Sequence, residues 1–448
     1  RMERRLPLLT GGARDLPARQ RTLRDTILWS YDLLEPGEQA LFRRLAVFQG
    51  FTLEMAETVC AGETARPGAT SVALPPLDLD VLNGVESLVE KSLLRQQDGV
   101  DHQPWYRMLE TVRELALERL EESGESQVVH RRHVLACLRL AESAESELYG
   151  AAQTIWFARL DQEHDNLRAA LDWSERHGYA EPALRLAIAI WWFWAAHGHI
   201  TEGRTRLGSL LDRFPMDASN RRAALRTRAL NGAGMLASMK GDNTTARALL
   251  EEALALRRTL GEPQGLVNAL EAIGTVACLQ GDYAAARQYL EEGLALARDL
   301  DDPTSYASIV NSLGNVLHEL GDLATARAYL RESNAAYQGS FDPSIRVLNG
   351  AMLTEAVVAQ EQGAYDEAWA IVSDALAAAR QTGNRRLEAL ALAISGGIAT
   401  KQGHHAVARE RLRESTSIYL EVGDVAGVSQ VLDRFVELAA AQGQLAGA

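Results

Sequence analysis

Residues 265–302 read GLVNALEAIGTVACLQGDYAAARQYLEEGLALARDLDD. Apolar residues recur at helical spacing as far as Leu279, stop at Gln280-Gly281-Asp282, and resume as far as Leu300. Gly281 can take the left-handed conformation that closes a helix. Asp282 can cap the next helix through its side-chain oxygen. The stretch therefore predicts a helix, a tight turn and a second helix. The same punctuation occurs at Gly241-Asp242 and Gly321-Asp322 and fades to Gly363-Ala364 and Gly403-His404, at intervals of 40, 40, 42 and 40 residues. A second ladder interleaves with it: Gly261-Glu262-Pro263, Asp301-Asp302-Pro303, Phe341-Asp342-Pro343, Gly383-Asn384 and Gly423-Asp424. Asp302-Pro303 and Asp342-Pro343 read as N-cap and first helical residue, where proline's missing N–H costs nothing. A fixed period of this size predicts a solenoid of stacked helix pairs over at least residues 182–442.

Small residues keep register with the turns. Gly234, Gly274, Gly314 and Gly396 fall in the middle of the first helix of a pair. Ala246, Ala286, Ala326, Ala368 and Ala408 fall early in the second. They are expected to let the two helices approach closely. In this pattern the units resemble tetratricopeptide repeats. They exceed the usual length of about 34 residues, and the excess extends the second helix, as in the long-repeat arrays of MalT-like bacterial regulators. The resemblance implies an all-α protein whose residues 181–448 form a right-handed superhelix, with the first helix of each pair lining the concave face.

Upstream, residues 18–34, 38–48, 51–60 and 78–92 read as helices, with Thr52 as a cap and a Gly/Pro-rich loop at 62–77. Leu93 to Arg95 and Trp105 to Met108 flank a polar segment and predict a two-stranded hairpin. Helices are expected again over 109–122, 126–148, 153–177 and 182–197. Helices followed by a hairpin is the order of a winged-helix domain, placed at 18–123, with a helical connector at 124–180. LLTGGARDLPARQRTLRDTILWSYDLLEPGEQALFRRLAVF and YRMLETVRELALERL resemble the winged-helix segment of STAND-class signal-transduction ATPases, and EHDNLRAALDW (163–173) resembles the opening of the repeat sensor that follows it. The family includes large bacterial transcriptional regulators of MalT-like, LuxR-like and antibiotic-regulatory types.

That resemblance implies an NB-ARC nucleotide-binding domain upstream, with residues 1–17 as its linker, an output domain elsewhere, and a repeat array cut short at its C-terminus. ATP or ADP is implied for the upstream domain and no cofactor for this stretch. Partners implied are an inducer, the upstream domain in cis, and other copies of the chain on activation. Relatives often carry Met-His-Asp where this chain has Met108-Leu109-Glu110, and Leu109 cannot donate a hydrogen bond to a phosphate.

Catalytic and metal chemistry find little support. No GxxxxGK[ST] motif occurs, and Gly11-Gly12 lacks the lysine. His130 and His133, His197 and His199, and His404 and His405 bring no third ligand in sequence. Glu163-His164-Asp165 has no accompanying nucleophile. Three widely spaced cysteines fit a reducing cytoplasm, and no stretch is apolar for long enough to span a membrane. A net charge of −14 argues against a chain-wide nucleic-acid surface. Arg1, Arg4, Arg5, Arg14, Arg19, Arg21 and Arg24 make the N-terminal segment basic. The candidate recognition helix 78–92, however, carries Asp78, Asp80, Glu86 and Glu90, which repel phosphates.

The functional signal lies inside the repeats. Aligned on the turn glycines, Asn231, Glu271 and Asn311 share one position. Arg228, Asn268 and Ser308 lie three residues before them, and Met235, Thr275 and Asn315 four after, with His318 continuing the row. Amides and hydroxyls on an inner wall suit directional hydrogen bonds to a ligand. The expected site is Arg228, Asn231, Asn268, Glu271, Thr275, Asn311, Asn315 and His318. Trp192, from the run Trp191-Trp192-Phe193-Trp194, is placed at its entrance. The alternative is a scaffold that holds a peptide or protein in the same groove.

Overall fold

A computed structural model of the chain describes residues 23–62, 74–148, 152–213, 220–339 and 351–443. The linker 1–17, Gly11-Gly12, the arginines before Arg24, Asp342-Pro343 and residues 445–448 lie outside them. The described residues form 20 α-helices and one two-stranded sheet. None of these helices is long and apolar enough to cross a membrane. The chain divides into two compact units, residues 1–142 with 158–186, and residues 143–157 with 187–448.

The N-terminal unit opens with α1 (Leu23–Asp32), α2 (Pro36–Leu45), α3 (Leu53–Cys60) and α4 (Val81–Glu90). The hairpin β1 (Arg95–Asp98) and β2 (Pro104–Arg107) follows, then α5 (Glu110–Glu122). Most of α6 (Ser126–Glu147) and α7 (Gln153–Arg176), with the start of α8 (Ala180–Ala196), completes it. Local chemistry sets the helix starts. Pro36 stands at the first turn of α2, and the Glu38 carboxylate accepts from the Glu35 N–H. Thr52 caps α3 and Asp80 caps α4. Leu41, Phe42 and Leu45 of α2, Val85 and Leu88 of α4, and Leu115 of α5 share one core with Phe48 and Phe51. Phe51 also pairs with Tyr106, each backbone N–H donating to the other's carbonyl at 2.8 and 2.9 Å. The first strand lies later than the apolar pattern predicts. Leu93 and Leu94 are buried in the core, and the polar, exposed Arg95–Asp98 pairs with β2 instead.

The C-terminal unit is the repeat array. After α9 (Ile200–Arg213) its pairs are α10 (Asn220–Met239) with α11 (Asn243–Leu260), α12 (Pro263–Leu279) with α13 (Tyr283–Asp299), and α14 (Pro303–Glu319) with α15 (Leu323–Gly339). There follow α16 (Ala351–Glu361) with α17 (Tyr365–Thr382), α18 (Arg385–Lys401) with α19 (His405–Val422), and a final α20 (Val425–Ala441). Gly241, Gly281 and Gly321 have φ of 76°, 76° and 81°, the left-handed region their position demands. The following aspartates cap as expected. Asp242, Asp282 and Asp322 accept from the N–H of Thr245, Ala285 and Thr325, each at 3.2 Å. Where the aspartate is lost, at Ala364 and His404, no side chain caps the helix.

Close approach within a pair explains the mid-helix glycines. A Cβ on Gly234, Gly274, Gly314 or Gly396 would fall 2.7–2.8 Å from the side chain of Leu250, Leu290, Leu330 or Leu412 respectively. Gly274→Leu is therefore expected to cost about 1–3 kcal/mol through overpacking. Urea unfolding checks this, and an unchanged midpoint would mean that the register is wrong.

The array curls until early helices meet late ones. A Cβ on Gly198, in the α8–α9 turn, would lie 3.0 Å from Val422 Cα. Thr154 Oγ1 donates to the Gln381 carbonyl at 3.0 Å. Trp192 packs on the apolar cluster built by α16 to α20. A repeat period fixes the unit, whereas curvature arises from small rotations between units.

Candidate ligand-binding wall

The first helices α10, α12 and α14 lie side by side, so residues 40 apart in sequence become neighbours on the wall. Glu271 occupies the middle helix. Its carboxylate accepts a hydrogen bond from Ser308 Oγ on α14. Burial outweighs that bond and pushes the Glu271 pKa up to about 7. The side chain thus keeps its proton between about pH 4.5 and 7, where an exposed glutamate is ionised. Asn231, at the same position of α10, is half-buried, and its Oδ1 is enclosed without a hydrogen-bond donor among the described residues. Asn311, at that position of α14, is buried. Asn315 and Thr275 are half-buried, and Thr275 Oγ1 donates to the Glu271 carbonyl of its own helix at 2.9 Å.

The outer members of the row are placed differently. Asn268 is exposed. Arg228 is exposed too and forms an ion pair with Glu145 of α6, so its charge is already met. His318 Nε2 lies 2.9 Å from a Glu361 carboxylate oxygen and links α14 to α16. In the next two pairs the equivalent of Glu271 is Leu353 and then Ala393, both buried, so the polar row belongs to three pairs only. Of the tryptophan run, Trp194 and Phe193 are buried. Trp191 and Trp192 are half-buried with rings 5.5 Å apart, and Trp191 sits against Gly232, next to Asn231.

Sequence reading did not find a concavity of about 510 Å³ lined by Thr201, Arg204, Thr205, Gly208 and Lys240. There Arg204 is paired with Asp242 at 2.6 Å. The Ser308 and Glu361 contacts also escaped it, although alignment on the turn glycines puts Ser308 in the row.

Candidates in the N-terminal unit resolve mostly into its core. His133 is buried, its Nε2 3.6 Å from Cys137 Sγ, and burial lowers its pKa to about 3. His130 stacks on Trp173 with centroids 5.5 Å apart. Glu163 is buried and accepts from Asn166 Nδ2 at 2.6 Å, whereas the Asp165 side chain faces solvent. Leu109 is an exposed residue at the start of α5. Asp78, Asp80, Glu86 and Glu90 around α4 are all exposed.

The family model for the tetratricopeptide repeat matches residues 225–299. These are α10 to α13, the pairs that carry Asn231 and Glu271. A protein of Mycobacterium tuberculosis (strain ATCC 25618 / H37Rv), named among the HTH-type transcriptional regulators, is 39% identical over 270 residues, covering 59% of this chain and 29% of its own length. A Mycobacterium bovis protein of the same description gives the same figures. The chain thus spans under a third of the length of these relatives. Among solved structures, the STAND protein with a tetratricopeptide repeat sensor from Pyrococcus horikoshii aligns over 96% of this chain and 66% of its own, at 13% identity and a TM-score of 0.45. A Rap protein complexed with Competence and Sporulation Factor aligns over 71% of this chain and 99% of its own, at 14% identity and a TM-score of 0.42.

Proposed function

We propose that this chain is the signal-sensing region of a STAND-type transcriptional regulator, in which the array binds an inducer on the α10–α12–α14 wall and so sets the state of an upstream nucleotide-binding switch. Residues 18–123, helices and hairpin together, are the winged helix that joins sensor to switch. The observation that carries the reading is the Glu271 carboxyl, half-buried at the centre of an in-register polar row with one hydrogen bond from Ser308. A position that serves only packing is apolar, as Leu353 and Ala393 are in the sister pairs. The relatives named as HTH-type regulators support the regulatory part.

The test begins with a thermal-shift screen for a stabilising metabolite or protein. Its affinity is then measured for Asn231→Ala, Asn311→Ala and Glu271→Gln. Each lost hydrogen bond is worth about 0.5–1.5 kcal/mol, so binding should weaken several-fold to more than tenfold without unfolding the array. Arg228→Ala is the poorer probe, since it also strands Glu145. Parental affinity in all three variants would place the ligand elsewhere.

The same reading holds that this chain alone neither turns over ATP nor binds DNA tightly. The exposed carboxylates around α4 oppose phosphate. Salt-sensitive micromolar DNA binding by the 448-residue chain, or nucleotide hydrolysis in a clean preparation, would refute it.

A further inference from the structure

Arg434 differs from other arginines packed into the array. Arg386 has its Nε 2.8 Å from Asp424, and Arg257 has Nη1 2.5 Å from Glu262. Arg434 is half-buried, yet it makes no hydrogen bond or ion pair among the described residues. Glu361, one of the charges near it, is engaged by His318. Desolvation lowers the Arg434 pKa in spite of the fields of Glu437, Tyr419 and Glu361, so the guanidinium's surroundings leave its charge under-compensated.

Its place is built by the sequence. From α20 the side chain reaches α18, where a Cβ on Gly397 would fall 2.3 Å from Nη1 and 3.6 Å from Gln360 Oε1 of α16. Gly397 is the equivalent of Thr275 and Asn315 in the earlier pairs, and only the missing side chain leaves room for the guanidinium. Gln360 is buried, and its Oε1 receives no hydrogen bond.

We propose that Arg434, seated over Gly397 beside Gln360, is a binding site for the carboxylate of a small, singly charged organic acid. The planar fork of N–H donors matches a carboxylate, and this half-buried guanidinium has no such partner among the described residues. Glu361 and Glu437 stand close enough to act on Arg434, so a dianionic phosphate is repelled more than a monoanion. Gln360 Oε1 lacks a donor, which favours an acid carrying a hydroxyl or N–H beside its carboxylate. The site uses α16, α18 and α20 and stands independently of the Glu271 wall.

The experiment uses the whole chain labelled with ¹⁵N-arginine, the Arg434 Nε–H resonance being assigned by its loss in Arg434→Gln. Sodium lactate is the probe, with neutral lactamide, inorganic phosphate and sodium chloride at matched ionic strength. Lactate is expected to move the resonance along a saturating curve, lactamide and chloride to leave it in place, and phosphate to bind at least tenfold more weakly. Gly397→Ala keeps the arginine but fills its seat, and should weaken lactate tenfold or more. Glu271→Gln should leave lactate binding unchanged, which separates this site from the wall. A lactate response no larger than that of chloride, or one indifferent to Gly397→Ala, overturns the proposal. Tighter binding of phosphate overturns the assignment to carboxylates.

Discussion

Glu125→Ala is expected to destabilise the N-terminal unit by about 3–5 kcal/mol. Arg44 is 1% exposed, and its guanidinium is held by three acceptors: Glu125 Oε1 at 2.7 Å, Glu125 Oε2 at 3.1 Å and the Cys60 carbonyl at 3.0 Å. Removing the carboxylate leaves a full charge inside the protein with one neutral acceptor. The reverse change, Arg44→Met, should cost less. Glu125 keeps Arg43 at 3.0 Å, and methionine fills much of the space. Burial raises the Glu125 pKa, but hydrogen bonds from Arg44 and Arg43 outweigh it and hold the carboxyl below its usual range. The pair's contribution is therefore complete above the ordinary glutamate pKa and is lost as pH falls through the depressed one. Hydrogen exchange in α2 and α3 is the readout, since the pair joins both helices to the turn before α6. Equal exchange in Glu125→Ala and Arg44→Met would refute the asymmetry.

The sequence foretold the repeat unit because its signals are local. Gly281 and Asp282 act within one turn, and the structure shows that turn three times over with the same capping distance. The hairpin was foretold in kind but displaced, because Leu93 and Leu94 have the same apolar pattern whether they enter a strand or a core. The wall's row was visible as a register of polar residues, and its electrostatics were not. Arg228 looks free on paper, yet Glu145, 83 positions away, meets it only after folding. Glu271 looks like an ordinary surface glutamate, and only the packing of α12 against α14 explains its raised pKa. Arg434 was missed because its meaning depends on an absence, the side chain that Gly397 does not have. Curvature was illegible for a similar reason: the meeting of Gly198 with Val422 sums many small rotations, each set by packing at a separate interface.

Glu163→Gln is expected to stabilise the N-terminal unit by about 3 kcal/mol at pH 8 and not at all at pH 4. Burial raises the Glu163 pKa from 4.5 to about 7, against the hydrogen bond from Asn166. Below pH 4.5 the group is protonated in both the folded and the unfolded chain and contributes no pH dependence. From 4.5 to 7 the unfolded chain releases the proton while the folded one keeps it, so stability falls as pH rises. Above 7 the loss is complete. Glutamine keeps the shape, can still accept from Asn166 Nδ2, and has no proton to lose. His133 works in the opposite sense. Its pKa drops from 6.5 to about 3, so its contribution is full above pH 6.5 and is lost as pH falls towards 3. Between pH 4.5 and 6.5 the two slopes oppose each other, one proton against one, and the pair leaves the parent nearly flat there. The variant, freed of the carboxyl, should instead gain stability across that window. Urea unfolding of both chains at pH 4, 6 and 8 tests this directly. A difference that stays constant with pH would mean that Glu163 ionises normally in the folded protein, and that its burial is relieved by water reaching the carboxyl.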